Sequence, residues 1–275
     1  MERHESAGAA DREFLGLEVT GDGTAALELT PGLARLDGKL YGGTAMAAAV
    51  TMAEHVTGRP ALWSTVQFVA ASCTIGDRLE LVAEVRAHGH RASQVRVTAT
   101  VGDTLIFDAL GANALAKQGA ATTGFGEMPR MQPPETGPGW RPPMLADGGP
   151  TGFLERTEIR VGRAQDGEDQ RYRLWARVPG RTVTAALLGY LSDWVPSSVV
   201  QALGQQGGGI SLDNTLRVGT LVPTEWVLVD FDPHLARGGY GHGAARLWSE
   251  DGTLLGVASQ TSTLLTFPTS FVPST

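Results

Sequence analysis

One cysteine, Cys73, is all the chain contains, so no disulfide forms within it and nothing points to an oxidising compartment. Long apolar runs are missing as well: the apolar segments are short and interrupted, which argues against a membrane span. There is no polybasic stretch. Twenty-two Lys and Arg stand against 29 Asp and Glu, both signs interspersed, for a net charge of −7. That pattern excludes the basic face of a nucleic-acid binder. The N-terminal MERHESAGAADREF is polar, unlike the apolar core of a signal peptide. A soluble, cytoplasmic protein is expected. An acidic average still admits a polyanionic ligand, because a local basic rim outweighs distant charge; Arg35, Arg59, Arg86, Arg91, Arg217 and Arg246 are available for one.

Several chemical signatures are absent too. No Gly-x-Ser-x-Gly elbow occurs, which sets aside a serine triad of that type. His88-Gly89-His90 has no further ligand at metal spacing, so a hairpin turn is expected there and no metal site. Gly207-Gly208-Gly209 is followed by no Gly-Lys-Ser/Thr; the expectation is a mobile loop or lid rather than a phosphate loop.

What is present is a pattern written twice. The 275 residues, 42% hydrophobic, suffice for one large domain or two small ones. Residues 119–150 carry seven prolines and little apolar periodicity, so they read as a linker or a surface-hugging connection. They divide the chain into residues 1–118 and 151–275. In the first part a short strand (25–30) precedes an Ala- and Met-rich helix opening at Gly42-Gly43, and strands follow at 61–70, 78–87, 92–101 and 104–116. In the second, a strand at 171–178 precedes a helix over 182–203, broken near Pro196. Strands follow at 210–218, 226–232, 240–248 and 253–266, the last two joined by Ser249-Glu250-Asp251-Gly252.

One strand, a long apolar helix, then four strands, repeated, is an internal duplication. A helix apolar around most of its circumference needs wrapping. A curled antiparallel sheet around a central helix does this, and two such units joined edge to edge remove two exposed edges. The expected class is therefore α+β, a double hotdog. Consecutive strands argue against a βαβ arrangement.

Three segments then resemble one family. Leu187-Leu188-Gly189-Tyr190-Leu191-Ser192-Asp193 is similar to the helix motif of the acyl-CoA thioesterase II family, which ends in its catalytic aspartate. Ser211-Leu212-Asp213-Asn214-Thr215 resembles its Thr- or Ser-bearing strand, and the run from Asp251 to Gln260 its last hairpin, with the family's glutamine. Asp37-Gly38-Lys39-Leu40-Tyr41-Gly42-Gly43 and the run from Ala61 to Asp77 are similar to its N-terminal unit. The resemblance implies hydrolysis of acyl-CoA to free acid and coenzyme A, with no metal, cofactor or covalent intermediate. It implies that Asp193, Ser211 and Gln260 together hold the attacking water, and that such units associate, a homodimer being expected. Ser211 stands where relatives have Thr and keeps the hydroxyl.

The residues themselves are suited to that chemistry. Thioester hydrolysis needs a base, an oriented water and donors at the carbonyl oxygen. Alternation places Ser211, Asp213, Thr215 and Arg217 on one face of their strand, with Ile210, Leu212 and Leu216 on the other. Thr215 is the reserve hydroxyl, and Asp213 is expected to pair with Arg217. Gln260 shares a face with Gly256 and Ala258, small residues that suit close helix packing. Gly42 and Gly43 offer backbone N–H groups for substrate binding, or else form a tight turn. Asp193, three residues before Pro196, also reads as an ordinary N-cap of a new helix. A non-hydrolytic acyl-CoA or carrier-binding protein shares every one of these features except turnover. A hydratase is disfavoured, since neither half contains Asp-x-Asn-Pro-x-His.

Overall fold

The computed structural model describes residues 2–142, 151–165 and 172–266, with side chains from residue 8 onward. Arg171 of the expected 171–178 strand and residues 143–150 of the expected linker lie outside the described residues.

In the first half the strands are β1 (Glu18–Gly21), β2 (Thr24–Glu28), β3 (Ala61–Phe68), β4 (Arg78–His88), β5 (Ala92–Val101) and β6 (Thr104–Ala114). Burial alternates along β4 as far as Ala83 and along β5, as expected for a sheet with one face on the core, and the end of β4, from Glu84 to His88, is exposed. The helix α2 (Gly42–Thr57) is buried at every residue from Gly42 to Ala53. It packs against β3, β4, β5 and β6, which curl around it. Gly58, with φ 61°, ends it in the left-handed conformation that favours glycine. Ahead of these elements, α1 (Glu2–Leu15) packs on α2. Its polar sequence and weak periodicity gave no helix signal.

The second half repeats the plan with β7 (Glu158–Val161), β8 (Arg173–Arg177), β9 (Gly207–Val218), β10 (Val227–Arg237), β11 (Tyr240–Ser249) and β12 (Leu254–Thr266). Its helical segment is split into α3 (Ala185–Leu191) and α4 (Val195–Ala202). The strands β9 to β12 surround α4, while α3 packs across α2. That crossing is close: a side chain at Gly189 would come within 2.5 Å of Met46.

All twelve strands form one sheet, in the order β1-β2-β4-β5-β6-β3-β9-β12-β11-β10-β8-β7. Every strand pair is antiparallel, and β3 meets β9 at the seam, from Trp63 opposite Arg217 to Gln67 opposite Asp213. The fold is an α+β double hotdog. The described part of the connection, residues 119–142, lies against the outer face of the second half, where Met131 packs with Trp175, Trp226, Leu228 and Trp248.

One glycine expectation changes. Gly207-Gly208-Gly209 is the start of β9 rather than a lid; a Cβ at Gly207 would sit 1.9 Å from the Leu265 carbonyl oxygen, and one at Gly209 2.6 Å from that of Thr263. Small residues are needed there so that the strands and α4 can approach. Gly238-Gly239 form the tight turn between β10 and β11, with φ of 58° and 85°. His88 closes β4 as a hairpin, its ring bonded to Ser93 and the Arg59 guanidinium.

Candidate active site

Thr184 caps α3 by accepting the Leu187 N–H at 3.1 Å. The helix runs only to Leu191, and a turn over Ser192–Trp194 precedes α4, whose first turn holds Pro196. Asp193 lies in this break. The ordinary cap role does not materialise: Trp194 occupies the N-cap position of α4 and makes no side-chain cap bond. The Asp193 carboxylate turns away and accepts the Gly43 N–H at 2.9 Å, through Oδ2. Asp193 thus caps the helix of the other half, whose own N-cap residue, Tyr41, supplies no side-chain bond.

This arrangement explains the glycine pair. A Cβ at Gly42 would lie 2.6 Å from Asp193 Oδ2, and one at Gly43 2.4 Å from the Tyr190 carbonyl oxygen. The Tyr41 hydroxyl donates to that same carbonyl at 3.0 Å, and its ring stacks on Phe153 at 4.2 Å. The expected use of the Gly43 amide changes accordingly. Gly43 is committed to the carboxylate and is not free to bind a substrate oxygen, because one N–H serves one strong acceptor.

Strand β9 departs from simple alternation. Opposite β12, Asp213 pairs with Thr261 and Ser211 with Ser262, so Leu212 is an extra residue at a β-bulge. The bulge resets the faces. Ser211 and Asn214, three residues apart, both point to the inside, while Leu212 is exposed. Thr215 lands on the outer face, its hydroxyl 3.0 Å from that of Thr65 across the seam, so it does not join the site. Nor does Asp213 pair with Arg217. Its carboxylate accepts the Thr261 N–H at 2.7 Å, and the Arg217 guanidinium lies 5.0 Å from the centre of the Trp63 ring.

Gln260 links the parts. Its Oε1 accepts the Val195 N–H at the start of α4, at 3.2 Å, which orients the amide. Its Nε2 donates to Ser211 Oγ at 3.0 Å and to Asp193 Oδ1. Asn214, fully buried, donates its amide to the same Oδ1 at 3.1 Å. Asp193, Ser211 and Gln260 are therefore one hydrogen-bonded set drawn from the helix break, β9 and β12. Asn214 was missed from sequence. The available signal was a polar residue on the parity shared by Ile210, Leu212 and Leu216.

Burial pushes the Asp193 carboxyl up to about 7, opposed by the Gly43 amide, Gln260, the Arg35 charge and Asn214. Burial, with Asp193 next, also raises the Tyr41 hydroxyl well above its ordinary range. Asp193 and Ser211 are only partly buried, so solvent reaches the set. A carboxylate poised near neutrality, beside a hydroxyl and a fixed amide, is equipped to take a proton from water.

Residues 128–264 match the family model of the acyl-CoA thioesterase C-terminal domain. None of the curated proteins matches the chain. Among solved structures, a protein of Novosphingobium aromaticivorans assigned as a thioesterase is 28% identical with a TM-score of 0.80, covering 90% of this chain and 98% of that one. The tesB protein of Mycobacterium avium subs. paratuberculosis is 20% identical with a TM-score of 0.73, covering 94% and 99%. Acyl-CoA thioesterase II TesB2 of Mycobacterium marinum is 18% identical with a TM-score of 0.71, covering 96% and 100%. At these two lower identities the likeness is one of fold. Among the described residues, no helix is long and apolar enough to cross a membrane.

Proposed function

Through residues 128–264 the chain belongs to the acyl-CoA thioesterase family, and on that premise we propose that it is a thioesterase hydrolysing acyl-CoA at the Asp193, Ser211 and Gln260 set. The observation that carries this reading is the direct bonding of all three side chains, centred on Gln260. In the proposed step a water donates a proton to the Asp193 carboxylate as its oxygen attacks the thioester carbonyl carbon. Ser211 accepts from Gln260, so its own O–H remains free to donate, either to the water oxygen or to the carbonyl oxygen as charge builds there. Collapse of the adduct breaks the C–S bond. The free acid leaves, and the coenzyme A thiolate takes the proton back from Asp193.

The first half, residues 1–118 on this reading, contributes the Gly43 amide that holds the base, and residues 151–275 contribute the reacting groups. A cytoplasmic homodimer acting in lipid metabolism completes the proposal, its assembly checked by sedimentation. The central test is thiol release across thioesters from acetyl-CoA to palmitoyl-CoA. Asp193→Asn is expected to lower kcat/KM by about 10²–10⁴-fold, the usual range for a lost general base. Unchanged turnover in that variant would remove Asp193 from the mechanism. Tight binding of acyl-CoA by the wild type without thiol release would favour the non-hydrolytic reading.

A further inference from the structure

We infer that Asn214 is a positioning residue for Asp193: together with Gln260 it fills both acceptor sites of Oδ1 and leaves Oδ2 as the oxygen that receives the water's proton. The inference rests on Asp193 acting as the base. Each carboxylate oxygen offers about two lone-pair sites. At Oδ1 both are taken, by the Gln260 and Asn214 amides. At Oδ2 only one is taken, by the Gly43 N–H at 2.9 Å. The open acceptor site is therefore on Oδ2.

A structural role alone explains Asn214 poorly. The side chain is fully buried, and its own Oδ1 has no hydrogen-bond partner. An unpartnered buried acceptor is destabilising. A leucine at this position on β9 would avoid that penalty, as Leu216, fully buried two residues on, already does. Reversing the amide does not help, since it would set oxygen against the carboxylate. What the amide supplies, and an apolar side chain could not, is a donor to Asp193. The other groups acting on that carboxylate are the Gly43 amide and the Arg35 charge from the first half and Gln260 from β12, while Tyr41 faces it from the start of α2.

The test uses the full chain with Asn214→Leu, which removes the donor, and Asn214→Asp, which replaces it with a second carboxylate. The readout is the pH dependence of kcat/KM for thiol release from acyl-CoA. The acid limb should move up by about one pH unit in Asn214→Leu and further in Asn214→Asp, because each loses a contact that favours the charged carboxylate. Activity of Asn214→Leu should then recover toward wild type at high pH. Uniform loss at every pH, with the limb unmoved, would overturn the inference, because that is what a merely structural residue would give. Should the leucine variant fail to fold, Asn214→Ser, smaller and still polar, takes its place with the same expected direction.

A second measurement separates this inference from the hydrolase reading. A carboxyl whose folded pKa is raised loses its contribution to stability as pH climbs toward that value. In Asn214→Leu the fall in melting temperature should extend to higher pH than in wild type, and the difference should vanish in an Asp193→Asn background. If wild type releases no thiol but this extension is seen, the hydrolase reading fails while the hold of Asn214 on the Asp193 carboxylate stands. If the melting curves of the two chains run parallel across the range, the positioning role fails whatever the activity.

Discussion

The two halves share a frame and divide the labour. Their strands run in mirrored order outward from the seam, β3-β6-β5-β4-β2-β1 on one side and β9-β12-β11-β10-β8-β7 on the other. The first half keeps its helix whole, sixteen residues of α2 beginning with Gly42-Gly43. The second breaks its helix and sets Asp193 in the gap. On the last strand, seven residues after Thr253 stands Gln260, whereas seven residues after Thr104 stands Gly111. Gln260 pairs with Gly243 and Gly111 with Val95, at corresponding places in their hairpins. One half therefore offers backbone N–H groups and space where the other offers side chains. A helix end can hold a carboxylate only if nothing else fills that volume, and glycine supplies the vacancy.

The strongest way to break this division is Gly43→Ala. The added methyl would lie 2.4 Å from the Tyr190 carbonyl, a backbone atom, so α3 has to shift. A displacement of about 1 Å at a catalytic group costs about 10²-fold. We expect a loss of that order in thiol release together with a lower melting temperature. Wild-type kinetics would mean that the first half takes no part in the site.

A smaller effect comes from pH. On the proposal that Asp193 acts as the ionised base, with burial pushing its carboxyl up to about 7, kcat/KM should fall about tenfold for each pH unit below that value and level off above it. An acid limb near pH 4 would show that the contacts from the two halves outweigh burial. The smallest effect is expected from Thr215→Val. Its hydroxyl meets Thr65 across the seam on the outer face, so activity should stay within about twofold. Stability should fall by about 1 kcal/mol, measured by denaturant unfolding. A large loss of activity would return Thr215 to the site.

The long strands, the hairpins and the duplicated plan were legible in the sequence because alternation and turn chemistry are local. So was the break at Pro196. Elements held by tertiary contact were not: β1 and β7 have four residues each, and the polar α1 is ordered by packing on α2. Asp193, Ser211 and Gln260 were reached through the family's motifs. Alternation alone grouped Ser211 with Thr215, because a bulge depends on the partner strand's register and nothing around Leu212 announces it. Asn214 was lost for the same reason. The partner of Asp193 at Gly43 could not be read either, since no local pattern tells a residue which helix it will cap.

The bond from Gly43 to Asp193 joins positions 150 residues apart in the chain. Contacts of such separation carry a high loop-closure cost and are disfavoured early in folding. Neither half alone, however well formed, contains both the carboxylate and the amide that holds it. Competence is thus a property of the docked pair. A copy still emerging from the ribosome, or one whose halves have come apart under heat or denaturant, has its Asp193 carboxylate unheld, the base of the proposed reaction. Hydrolysis then serves as a direct report that the seam has closed.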